Sequence, residues 1–254
     1  MKQAWTTIRS TALWAATGSY FFAVGAFLVL LGIVVDPAKN DRPQRWFFRN
    51  IVRLAGVRLK VRRARGFDPN HTSIFVCNHV NLFDPFVVYT AIPQFLRGFE
   101  LESHFTIPVY GWMMGRFGNI PVPDPLTREG LARMSLLAGE ALARGTSLIV
   151  FAEGARTRNG RMGSFKNGAF RLAVRLGAPI VPMSIVGSYE FFRTGDWILH
   201  PREVTVHLFD TIETAGLSMR DVEALRDRVR GIIGAPLGEN TAVVDLPANA
   251  IREA

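Results

Sequence analysis

Two short stretches of this chain end apolar runs with side chains suited to proton transfer and anion binding. The first is Val76-Cys77-Asn78-His79-Val80-Asn81-Leu82-Phe83-Asp84-Pro85. Histidine takes and returns a proton near neutral pH. A carboxylate can orient an imidazole and stabilise its cation. On a regular helix the five-residue offset from His79 to Asp84 would set the side chains about 140° apart. They meet only if the chain turns between them, with His79 before the turn and Asp84 at the mouth of a helix. Asp84-Pro85 also suits a plain helix start, with an N-cap followed by proline at the first helical position. Cys77 stands beside His79 as a nucleophile candidate, but it also ends an apolar strand, where a free thiol is commonly a small buried hydrophobe.

The second stretch is Leu148-Ile149-Val150-Phe151-Ala152-Glu153-Gly154-Ala155-Arg156-Thr157-Arg158, followed by Asn159-Gly160-Arg161 and Phe165-Lys166-Asn167-Gly168. One carboxylate and several guanidiniums follow a second buried run. The fork of arginine matches a phosphate, and Lys166 near a helix start adds a point charge. Glu153 paired to Arg156 in a solvated loop is the plainer reading.

Together, Asn78-His79-x4-Asp84 and Phe151-x-Glu153-Gly154-x-Arg156 resemble the glycerolipid acyltransferase family, most closely its bacterial 1-acylglycerol-3-phosphate acyltransferases. Phe165-Lys166-x-Gly168-Ala169 and Ile180-Val181-Pro182-Met183-Ser184-Ile185 add to the resemblance, which spans Trp46 to Ile233. It implies acyl transfer from acyl-CoA or acyl carrier protein to the hydroxyl of a lysophospholipid, foremost lysophosphatidic acid. His79 and Asp84 would be catalytic. Asn78, Glu153, Gly154, Arg156 and Lys166 would bind substrate. No cofactor and no metal is implied. Ala152 and Ala155 stand where the family motif has Pro and Thr, and Asp124 stands near an expected Arg. A lysophosphatidylglycerol or a lyso-aminolipid is therefore an alternative acceptor. A hydrolase or transacylase using the same pair, and a silent membrane adaptor, are the competing functions.

The elements that must position these residues alternate short strands with helices. An α/β domain with a mixed sheet flanked by helices is expected over 57–238. Strands are expected at 57–65, 74–77, 97–102, 119–122, 147–151, 180–186 and 204–209. Helices are expected at 86–92, 109–116, 128–144, 166–176 and 220–233. The stretch 239–254 reads as a mobile tail.

Residues 1–56 read as membrane-associated. Thr11 to Val35 carries no charge and would extend about 37 Å as a helix, enough to cross a bilayer core. It is too long for a cleaved signal peptide and lacks an evident cleavage site. Whether it spans or turns back is open. Gly18, Gly25 and Gly32 recur every seven residues, by chance or as a helix-packing face. Over 41–56, Arg42, Arg45, Arg49 and Arg53 recur at helical spacing beside Trp46, Phe47, Phe48, Ile51 and Val52, suggesting a helix in an anionic membrane interface. The alternative packs that apolar side on the domain. The charge bias places the body on the cytoplasmic side of an inner membrane. The net charge of +9 calls for an acidic partner or surface. Without a recognition motif or zinc spacing, nucleic acid is not expected. The single cysteine excludes an internal disulfide.

Overall fold

The computed structural model describes residues 2–36, 38–39 and 41–239. The expected tail, apart from Glu239, lies outside the described residues. Seven strands form one mixed sheet: β1 (Val57–Arg63), β2 (Ile74–Cys77), β3 (Leu96–Leu101), β4 (Ile120–Val122), β5 (Ser147–Phe151), β6 (Ile180–Val186) and β7 (Arg202–Leu208), in the order β1-β7-β6-β2-β5-β3-β4. Every neighbouring pair is parallel except β6 and β7. The central strand β2 is buried at all four positions. A strand covered on both faces must be apolar throughout, which is why Ile74-Phe75-Val76-Cys77 shows no alternation.

Helices cover both faces. Phe75, Cys77, Val181, Met183 and Ile185 point into a core shared with α2 (Arg42–Leu54), α3 (Asp84–Ala91) and α4 (Tyr110–Arg116). Ile74, Val76 and Ile180 point to the opposite core, beneath α5 (Arg128–Ala143), α6 (Gly168–Leu176) and, after the short α7 (Ser188–Phe191), α8 (Val222–Gly234). The period-two alternation of β2 and β6 separates the two cores. The expected elements are present, with ends displaced by a few residues. The helix expected from Lys166 begins at Gly168, because the Lys166 amide donates instead to the Ala152 carbonyl.

The N-terminal helix α1 (Lys2–Val34) is longer than its uncharged stretch and is long and apolar enough to cross a membrane. One side of it packs on the domain. The Trp14 indole donates to the Trp197 carbonyl at 2.7 Å, and its ring lies 5.5 Å from both Phe83 and Phe192. Further along, Phe21 meets Phe47, Phe86 and Tyr110. The absence of side chains at Gly25 and Gly32 admits Val109, Met113 and Arg116 from the α4 region. Two of the three heptad-spaced glycines thus serve a contact within the chain.

The expected interfacial placement of α2 is corrected in one respect. Phe47, Phe48, Ile51 and Val52 are buried in the domain core, so they are unavailable to lipid. Arg45 is also used internally, donating to Asp41 and to the carbonyls of Ile92 and Gln94. Arg42, Trp46, Arg49 and Arg53 are the exposed residues of the helix. Burying four large apolar side chains against a protein core leaves an amphipathic helix only its polar face for solvent or membrane.

Candidate active site

The strand β2 ends at Cys77, and the chain turns sharply before α3. Asp84, the first residue of α3, is fully buried. Its Oδ2 accepts from the backbone amides of Val80 and Asn81 and lies 3.0 Å from His79 Nδ1. Its Oδ1 accepts from the Ser188 hydroxyl at 2.7 Å. The tight turn 79–84 therefore brings together the pair whose spacing a helix would separate. The N-terminal end of α3 also favours a negative charge. Because Oδ2 is already an acceptor for two amides, the proton of the pair belongs on Nδ1. This leaves Nε2 with a free lone pair.

The imidazole is held on two further sides. Phe151, the last residue of β5, stacks on it with centroids 4.1 Å apart and planes inclined by 18°. Its backbone N–H donates to Glu153 Oε1 at 2.8 Å, and its carbonyl accepts from the Thr157 amide at 3.0 Å. Glu153 is thus a latch between loops: its other oxygen, Oε2, accepts from the Gly163 amide at 2.7 Å. Burial raises the Glu153 pKa, against the lowering effect of these two amide donors. Glu153 and Arg156 do not pair among the described residues.

Asn78 was expected to touch substrate, but its amide is spent on structure. It donates to the Ile185 carbonyl and accepts from the Ile185 amide, locking the ends of β2 and β6 together. At 2% exposure it offers nothing to a ligand. Cys77 is fully buried, and burial pushes its thiol pKa well up, with the charges of Asp84 and Glu153 adding to the rise. A thiol so placed is a core residue, which removes the nucleophile reading.

Arg156 and Lys166 are exposed on the loops that Glu153 ties to His79. Gly154 has φ +71, and a Cβ there would meet Lys166 Nζ at 2.8 Å. Glycine thus provides both the backbone conformation and the space over which the lysine lies. Ala152, in place of the motif proline, donates its amide to the Cys77 carbonyl, a bond proline could not make. Asp124 follows β4, which is three strands from β2 in the sheet and parallel to it through β5 and β3. At about 4.8 Å per strand, it sits at the same end of the sheet but about 14 Å to the side. Arg116 lies against Gly32 of α1.

Sequence reasoning missed three residues. Asn81 donates its side-chain amide to both the carbonyl and the hydroxyl of Ser188, which in turn holds Asp84. Thr194 places its hydroxyl between the carbonyls of Val80 and Thr157. Gly187-Ser188 follows the buried run 180–186, so it is a third apolar strand ending in a small polar turn. That signal was available in the sequence.

Such a site can take a proton from a hydroxyl at Nε2 and return it to a leaving group, next to a basic loop. Comparisons with known proteins find acyltransferases among the relatives of this chain. Human 1-acyl-sn-glycerol-3-phosphate acyltransferase alpha is 29% identical over 231 residues, covering 86% of this chain and 82% of the relative. The chloroplastic 1-acyl-sn-glycerol-3-phosphate acyltransferase BAT2 of Brassica napus is 33% identical over 138 residues, covering 52% of this chain and 38% of the relative. The fold matches the crystal structure of the 1-acyl-sn-glycerophosphate (LPA) acyltransferase PlsC from Thermotoga maritima. That match has a TM-score of 0.76 and 20% identity, and covers 94% of this chain and 97% of the other. A family model described as Acyltransferase matches residues 58–186, a segment that contains His79, Asp84 and the whole of the second motif. The chain belongs to the Acyltransferase family.

Proposed function

We propose that this acyltransferase moves an acyl chain from a thioester, acyl-CoA or acyl carrier protein, to the free hydroxyl of lysophosphatidic acid, giving phosphatidic acid. The observation that carries this reading is the His79–Asp84 pair, its carboxylate fully buried, with Nε2 making no hydrogen bond among the described residues beside the arginine-bearing loop. His79 Nε2 removes the hydroxyl proton as the acceptor oxygen attacks the thioester carbonyl. Asp84 stabilises the imidazolium. The tetrahedral intermediate collapses, the C–S bond breaks, and the imidazolium returns the proton to the departing sulfur. The products are an ester and a free thiol. Arg156 and Lys166 grip the acceptor phosphate, and Glu153 holds the two loops in register.

A second acceptor class, such as lysophosphatidylglycerol or a lyso-aminolipid, is favoured by one observation. Asp124 sets a carboxylate at the same end of the sheet where a phosphate-binding arginine is expected. A carboxylate there repels a phosphate dianion. The silent-adaptor reading leaves four donors converging on a buried carboxylate without a purpose.

The protein works at a membrane surface, in this reading the cytoplasmic face of an inner membrane. Support comes from α1, whose outward side carries Phe22, Phe27, Leu30, Ile33 and Val34 while its other side packs on the domain. A helix held this way along its length rests against the bilayer more readily than it crosses it. Offering purified protein a panel of lysolipids with each donor, and identifying products by mass spectrometry, tests the proposal. Phosphatidic acid formed from a thioester supports it. Free fatty acid as the main product would assign hydrolysis, and acyl exchange without a thioester would assign transacylation.

A further inference from the structure

A groove of about 360 Å³ runs between α2 and the edge strand β1. Arg49, Val52 and Arg53 line it from α2, and Val57, Arg58 and Leu59 from β1. It has apolar walls and basic residues along its length. From Arg42 to Arg65 the chain has nine basic residues and no acidic one. Lys60 is neutralised by Glu203 and Arg45 by Asp41. Arg49, Arg53 and Arg58 have no ion-pair partner among the described residues.

Arginines on an edge strand protect it from pairing with other strands, and that suffices for β1. It does not account for Arg49 and Arg53, which stand on a helix. Trp46, Arg49 and Arg53 follow one another at i, i+3 and i+7, so they share one outward face of α2. Trp46 is 56% exposed, and its ring lies 5.8 Å from that of Tyr20 on α1. Asn50, on the same helix, donates to the Tyr20 hydroxyl. The basic face is therefore continuous with α1, whose outward side is apolar. An aromatic side chain between an apolar surface and a guanidinium pair is the arrangement found at the level of lipid headgroups.

We propose that this groove binds the phosphate-bearing headgroup of an anionic phospholipid in the bilayer, apart from the substrate bound at His79. The inference rests on the membrane-surface reading above. Arg49 and Arg53 engage the phosphate oxygens, while Trp46 and the accessible apolar residues of β1, Leu59 and Val61, lie against the glycerol and acyl region. Such a site would hold the enzyme on membranes rich in anionic lipid, the class to which its proposed product belongs.

Vesicle sedimentation in a His79→Ala background separates binding from turnover. Phosphatidylcholine vesicles with and without phosphatidylglycerol provide the two surfaces. A basic residue at an anionic surface contributes about fivefold in affinity, so Arg49→Gln/Arg53→Gln should weaken binding to the anionic vesicles by about 25-fold. Binding to pure phosphatidylcholine should not change, which also verifies folding. Arg49→Lys/Arg53→Lys should recover most of the loss. Arg171→Gln/Arg175→Gln removes the same charge from exposed positions on α6, over the opposite face of the sheet, and should cost less than threefold. Equal losses from the two glutamine pairs would overturn the proposal in favour of a diffuse basic surface. Unchanged vesicle binding, with turnover in the otherwise wild-type enzyme falling only for an acyl carrier protein donor, would overturn it in favour of an acidic protein partner. Turnover in detergent micelles is unaffected by the groove, so its absence there would count against the catalytic reading alone.

Discussion

Asp84 is fully buried and accepts from four donors, so each donor helps to fix the carboxylate that orients His79. Ser188 is the donor most easily removed without touching the turn. A hydrogen bond to a charged group contributes about 1.5–3 kcal/mol, so Ser188→Ala should lower kcat by about tenfold or more. KM should hardly change, because Ser188 reaches substrate only through Asp84; a KM effect alone would place it elsewhere. Cys77 should resist alkylation in the folded protein at mildly alkaline pH, since burial keeps its thiol protonated, and Cys77→Ser should retain turnover. Rapid labelling of the native protein would contradict the burial. Glu153 has a raised pKa in the folded state, so folding favours its protonated form. Stability should therefore fall as pH rises from the ordinary glutamate range through the raised value. Thermal melts of Glu153→Gln should lack that slope, and an unchanged slope would assign it to another group. His79, Asp84 and the basic loop were legible because their residue types name their chemistry. Asn78 was misread because nothing in an asparagine says whether its amide faces a ligand or, as here, the backbone of a strand 107 residues away.

The same division holds among the elements. Central strands were legible because burial on both faces demands unbroken apolar runs, as at 74–77 and 148–151. Helix starts were less so: a helix is expected from Lys166, but that residue gives its amide to Ala152. The helix α2 shows the limit most clearly. A stripe of arginines opposite a stripe of Phe, Ile and Val has the same period whether the apolar side meets lipid or protein. Only the arrival of α1 and α3 decides it, through Phe21 and Phe86 around Phe47 and Phe48. Trp14 secures α1 to the loop after α7 and to Phe83, one residue before Asp84. Trp14→Ala should destabilise the fold by about 2 kcal/mol, less than the roughly 3–5 kcal/mol of a fully buried aromatic. Denaturant melts would show it, and no loss would mean that α1 is only loosely seated.

At the scale of the molecule, residues of α1 and α2 pack into the core on one face of the sheet. Deleting residues 1–35 would uncover Phe47, Phe83, Phe86 and Phe192 together, an apolar patch large enough to drive association. Size-exclusion chromatography should find the truncated chain aggregated; a monodisperse, active truncation would show that the domain stands without α1. The central claim is that His79, held by Asp84, moves the proton in acyl transfer. Its most direct test is the rate of phosphatidic acid formation from acyl-CoA or acyl carrier protein and lysophosphatidic acid by His79→Ala, measured by mass spectrometry on protein that binds vesicles as the wild type does. General acid–base catalysis by a positioned side chain contributes about 10²–10⁴-fold, and the rate should fall by at least that lower figure. Turnover within a few-fold of the wild type would contradict the account.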